Sequence, residues 1–137
     1  MPSRRFVASG SASADRLRFA FRHFPIVDRH PQAELAAEAS EAAAARGRFW
    51  DYHDAIFEAQ PRLTDAVVVD VAASLGLDRD ELEAELDGGR HRPRVERDVR
   101  SGEASGVQGT PAFFVNGRRH DESYDAGSLV EALSAGR

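Results

Sequence analysis

The chain has 137 residues, 42% of them hydrophobic and 30% charged, the size and make-up of one ordinary globular domain. No apolar run approaches the roughly 18 to 20 residues of a membrane span. The formal charge of −5 opposes the phosphate backbone of nucleic acid. Neither a membrane nor a nucleic acid is therefore an expected partner. The absence of any cysteine excludes a thiolate nucleophile, a disulfide and cysteine-bound zinc for this chain acting alone.

The opening stretch MPSRRFVASGSASA carries two arginines but lacks the apolar segment of a secretory signal, so it reads as mature sequence or a ragged terminus, with the cytoplasm as the default location. In RLRFAFRHF, Arg16 to Phe24, Leu17, Phe19 and Phe21 alternate with charged or small residues. That is the period of a strand, and Pro25 ends it. An alanine-rich stretch from Pro31 to Arg46 has proline in its first turn and Gly47 just beyond it, the usual asymmetry of helix ends. A second helix is predicted over Phe49 to Ala59, with Phe49, His53, Ile56 and Phe57 on one core-facing side. Thr64 caps a helix over Asp65 to Leu75. Asp78 and Glu81 make a capping-box-like start to a short helix closed by Gly88 and Gly89. A longer helix follows from Arg90 to Glu103 and tolerates Pro93 in its first turn. After the loop Ser105 to Pro111 come a strand over Ala112 to Val115, an Asn116-Gly117 hairpin turn, a return strand Arg118 to His120 and a helix over Tyr124 to Ala135.

Candidate chemistry is sparse. The five histidines, His23, His30, His53, His91 and His120, show no HxxxH or HExxH spacing, so each reads as a surface or packed residue, and no metal site is expected. No GxSxG elbow is present for a serine hydrolase. Arg90, Arg94 and Arg97 share a helical side, but Glu96 and Asp98 beside them make it a solvated, ion-paired surface. Trp50 and Tyr52 flank the core side of their helix and read as packing.

Three stretches, RLRFAFRHFPIVDRHP, GRFWDYHDAIFEAQ and GVQGTPAFFVNGRRH with its trailing helix, resemble in this order the DsbA-like thiol–disulfide oxidoreductases of bacteria. The likeness runs from about residue 15 to 135. It implies a single α/β thioredoxin-like domain over 1–137 with an inserted helical subdomain at about 31–104. It also implies that Pro111 is a cis-proline, and that the loop Gly109, Thr110, Pro111 docks a peptide through the backbone of Thr110. The family's first strand and its Cys-x-x-Cys helix have no counterpart here. By this resemblance the catalytic pair is missing, and no catalytic residue, metal or cofactor is expected.

The missing strand is central in a thioredoxin sheet. Arg5 to Ser9, RFVAS, is a candidate substitute. The linker Gly10 to Asp15 is shorter than the dozen or so residues of a parallel crossover, so that strand can only pair antiparallel with the next or extend to another molecule. A homodimer by strand completion follows as an expectation. The leading reading is a redox-inactive peptide- or protein-binding or assembly module. Two alternatives stand beside it: a truncated form of an active oxidoreductase, and a glutathione-dependent transferase or isomerase of kappa type using Ser9, Ser11 or Ser13.

Overall fold

Alanine at the centre of a helix lets neighbouring helices approach closely, because nothing longer than a methyl group stands between the backbones. The first helix uses this to organise the core. The computed structural model describes residues 3–5, 18–26, 31–120 and 126–135, and the chain falls into two compact units, residues 1–102 and 103–137.

In the first unit, α1 (Ala33–Ala44) packs against α2 (Phe49–Ala59), α3 (Asp65–Ser74) and α4 (Arg79–Asp87). Ala39, Ala42 and Ala43 are wholly buried against Tyr52, Ile56, Val68, Ala72, Leu77, Leu82 and Leu86. The Tyr52 hydroxyl donates to the Val68 carbonyl at 2.9 Å. Burial pushes its phenol above the ordinary value, so it stays a donor. Thr64 Oγ1 accepts from the Val67 N–H at 3.2 Å and Asp78 Oδ1 from the Glu81 N–H at 3.0 Å. Both predicted caps are therefore made. Arg46, just past α1, donates to the Ala42 carbonyl at 2.9 Å and to Glu85 of α4 at 3.1 Å. That places a cation at the negative end of α1. The unit also holds α5 (Arg92–Ala104) as far as Gly102.

Within the described residues, the strand predicted at Arg16 to Phe24 ends earlier than its alternation suggests. β2 (Arg18–Ala20) pairs antiparallel with β1 (Ser3–Arg5), in the register Ser3↔Ala20, Arg4↔Phe19, Arg5↔Arg18. A ladder lasts only as long as its partner. Beyond it, the His23 N–H turns to a side chain, Asp98 Oδ2 at 3.0 Å. The substitute strand thus lies at Ser3–Arg5, two residues earlier than RFVAS, and pairs antiparallel within the chain. Residues 6–9 of that segment, the linker Gly10 to Asp15, Leu17, His30, Ser9, Ser11 and Ser13 lie outside the described residues.

The core side of α2 also differs from expectation. Phe49, Tyr52 and Ile56 are buried, whereas Phe57 is 54% exposed. At about 100° per residue, Phe57 sits roughly 80° around the helix from Phe49, at the margin of the buried stripe, and Tyr52 fills the place on its other side.

In the second unit, β3 (Phe113–Val115) and β4 (Arg118–His120) form the antiparallel hairpin, pairing Phe113 with His120 and Val115 with Arg118. Asn116 at φ 51 and Gly117 at φ 82 give the turn its two left-handed residues. The last helix, α6, spans Ala126–Ala135.

Candidate functional site

The loop entering β3 is the first candidate. Its Thr110–Pro111 peptide bond is cis. Thr110 and Pro111 are exposed and Gly109 is half-buried. Among the described residues, Thr110 makes no hydrogen bond. Phe114, three residues further on, is 42% exposed. Arg119 of β4 braces the start of the loop by donating to the Gly106 carbonyl at 2.7 Å. The second unit therefore presents an unused backbone donor and acceptor, a proline ring and an exposed aromatic within a few residues, held by a hairpin.

In the first unit the aromatic residues of β2, the segment after it and α2 form a ladder. Phe19 and Trp50 lie 5.7 Å apart between ring centres, Trp50 and His53 5.2 Å, and His53 and Phe57 4.7 Å. Phe21 meets His53 edge-on at 4.9 Å, a favoured arrangement of ring quadrupoles. Trp50 and His53 therefore pack, as their amphipathic helix suggests, while Tyr52 is fully buried beneath them.

The second cluster was not legible as a motif. His23, Glu41 and Asp98 are all buried, and their donor atoms lie within 4.8 Å of one another. His23 Nε2 stands 2.8 Å from Glu41 Oε1, and Asp98 Oδ1 is 3.8 Å from Arg94 Nε. Burial works to raise the Glu41 carboxyl, but the hydrogen bond and charge of His23, together with Arg94, hold it below the ordinary value. Glu38, three residues earlier on α1, shows the opposite balance. Its burial outweighs the attraction of Arg92, whose Nε is 3.7 Å away, and its carboxyl is raised.

The remaining histidines are dispersed. His53 meets Asp54 at 3.0 Å, His91 lies 3.6 Å from Glu85, and His120 is buried on β4. Of the arginine trio, Arg94 and Arg97 lie on α5, while Arg90 precedes it and pairs with Glu85 at 3.3 Å.

Helices set between short antiparallel strands are consistent with a thioredoxin-like α/β class. Within that class the chain belongs to the DSBA-like thioredoxin domain family, whose model matches residues 7–134. It carries none of the cysteines on which thiol–disulfide exchange rests. It is also similar to parts of much longer proteins. Na(+)/H(+) antiporter NhaA 3 of Salinispora tropica is 44% identical over 119 residues, 87% of this chain and 18% of that protein. Na(+)/H(+) antiporter NhaA of Herminiimonas arsenicoxydans is 46% identical over 123 residues, 90% of this chain and 19% of the antiporter. Na(+)/H(+) antiporter NhaA 1 of Mycolicibacterium gilvum is 39% identical over 125 residues, 90% and 20% respectively. The chain thus spans about a fifth of the length of these curated relatives. No solved structure matches it. Among the described residues no helix is long and apolar enough to cross a membrane.

Proposed function

We propose that this chain is a redox-inactive binding module that docks an extended peptide at Gly109, Thr110 and Pro111. The observation that carries the reading is an exposed Thr110–Pro111 loop, with Thr110 making no hydrogen bond among the described residues, in a chain without cysteine. Backbone pairing at a loop edge supplies sequence-tolerant affinity, and Phe114 offers an apolar side wall. The peptide belongs, on this reading, to a sodium/proton antiporter beside which the module works. Support comes from relatives of that name, in which a stretch like this chain makes up about a fifth of the protein. With no cysteine, no disulfide calls for an oxidising compartment, and the module is assigned to the cytoplasm.

The test is amide chemical-shift mapping of the labelled chain with reduced, carboxymethylated lactalbumin as an extended, thiol-free probe. Shifts centred on residues 109–115 are expected, with loss of binding in Thr110→Pro, which removes the backbone donor. An insulin-reduction assay run in parallel should stay at the no-protein rate. Shifts spread elsewhere, or measurable insulin reduction, would remove the reading.

A second reading, assembly by strand completion, is favoured by the pairing of the described strands. Each belongs to a sheet of only two, and a lone two-stranded sheet is marginal in water.

A further inference from the structure

Two buried carboxylates within a few ångströms of each other repel and lose their hydration, so a fold that keeps them there must supply positive charge. Glu41 on α1 and Asp98 on α5 are such a pair, and His23, at the end of the segment that follows β2, stands between them. The nearest guanidinium answers them only in part. Arg94 Nε lies 3.8 Å from Asp98 Oδ1, beyond hydrogen-bond reach, and this buried nitrogen has no hydrogen-bond partner among the described residues.

The donor set is one imidazole nitrogen and two carboxylates from three separate elements. It suits a borderline divalent ion such as Zn²⁺, which takes His nitrogen and Asp or Glu oxygen at about 2.0–2.2 Å. Two donors on one ion can lie up to about 4.4 Å apart. The three here lie within 4.8 Å, with His23 Nε2 and Glu41 Oε1 at 2.8 Å. To share one ion, Asp98 or Glu41 must turn toward the other two donors. Phe21 and Phe49 stand over the His23 ring, 5.3 and 6.0 Å between centres. They form an apolar wall that lowers the local dielectric and strengthens any charge interaction inside it.

We propose that His23, Glu41 and Asp98 form a divalent-metal site of the zinc type. The ion joins the segment after β2 to α1 and α5 as a structural clamp. On binding, His23 presents its Nε2 lone pair and carries its proton on Nδ1. Glu41 exchanges its hydrogen bond for a metal bond, and Arg94 remains beside Asp98 as a neighbouring charge. No electron transfer is involved.

The experiment uses the full chain stripped with chelator and then given Co²⁺ or Zn²⁺ alone. One equivalent of Co²⁺ should produce the visible d–d bands of a low-coordinate nitrogen–oxygen site. Zn²⁺ should raise the melting temperature with increasing concentration, because the ion binds only the folded chain. Asp98→Asn keeps an oxygen to accept the His23 N–H, so it should fold yet bind Co²⁺ about tenfold or more weakly; Glu41→Gln should do the same. His53→Ala and His91→Ala should leave binding unchanged, which separates this site from surface histidine contacts. No Co²⁺ band in the wild-type chain would overturn the proposal. A band that survives both carboxylate variants would overturn it equally.

Discussion

Glu38 and Glu41 lie less than one turn apart on α1 and are both buried, yet they act on stability in opposite directions. For Glu41, burial alone raises the carboxyl, but the His23 hydrogen bond and charge, with Arg94, leave it lowered from 4.5. A depressed acid stabilises the fold at pH values above its unfolded value, and that gain is lost as pH falls through the lower folded value. For Glu38 the desolvation outweighs Arg92, and the carboxyl is raised above 4.5. A raised acid weighs against the fold once ionised, and the penalty disappears as pH drops below 4.5. Glu41→Gln should therefore lower the urea midpoint at pH 7, by an amount that shrinks on acidification below pH 4.5. Glu38→Gln should raise the midpoint at pH 7 and have little effect in acid. Two variants moving the midpoint the same way at pH 7 would contradict this assignment. These partnerships could not be read in advance. His23 is 18 residues from Glu41 and 75 from Asp98, and no local spacing links positions brought together only by the packing of α1 and α5. Tyr52, expected to flank the core side of α2, lies inside the core instead, where the Val68 carbonyl 2.9 Å away satisfies its hydroxyl. Tyr52→Phe should cost about 1 kcal/mol in urea unfolding by loss of that bond.

At the scale of elements, local chemistry was the most legible. α2 begins and ends where its 3.6-residue pattern places it, at Phe49 and Ala59. The α3 and α4 starts at Asp65 and Arg79 follow caps whose side chains bond the expected N–H groups. Thr64→Ala and Asp78→Ala should each cost about 0.5 to 2 kcal/mol, read from the urea midpoint. Asp78 belongs at the upper part of that range, because its carboxylate also meets the positive end of α4. The Asn116-Gly117 turn is equally local. A Cβ at Gly117 would touch nothing within 4 Å, but φ is +82°, so Gly117→Ala should destabilise the hairpin by about 1 to 2 kcal/mol through backbone strain alone. A neutral effect on the melting temperature would show that the hairpin contributes little to folding. Strand length was less legible. Alternation from Arg16 to Phe24 records which side chains can face an interior, but a strand needs a partner ladder. Among the described residues of that stretch, only Arg18 to Ala20 have one, against Ser3 to Arg5. Phe57 shows the same limit on a helix: the period places it near the core side, and only the neighbouring helices decide that the stripe ends before it.

At the scale of the whole molecule, the order of strands and helices and the GTPAFFVNG loop were enough to indicate the DSBA-like family, and the match over residues 7–134 shows it. What sequence order could not convey is how the strands are shared out. Among the described residues, β1 with β2 and β3 with β4 make two sheets of two strands each, well below the three or more strands that usually stand alone without strong packing. β1–β2 gains support from the Phe19 and Phe21 rings against Trp50, at 5.7 and 6.5 Å. β3–β4 belongs to a unit whose described residues supply few buried apolar side chains. Sheets this small gain most by recruiting further strands, and a second copy of the chain is the recruit present at highest local concentration in a purified sample. Light scattering after size exclusion should therefore give a mass near twice the 15.0 kDa of the chain at high micromolar loading. The mass should fall toward the monomer on dilution, as expected for a backbone-paired interface of a few residues. Placing a proline at Phe114, within β3, removes a backbone donor from the strand, so Phe114→Pro should shift this equilibrium toward monomer if β3 is the recruiting strand. Phe19→Pro tests β2 in the same way. A mass of 15.0 kDa at every concentration would exclude strand completion between copies of this chain and favour peptide docking at Thr110 and Pro111.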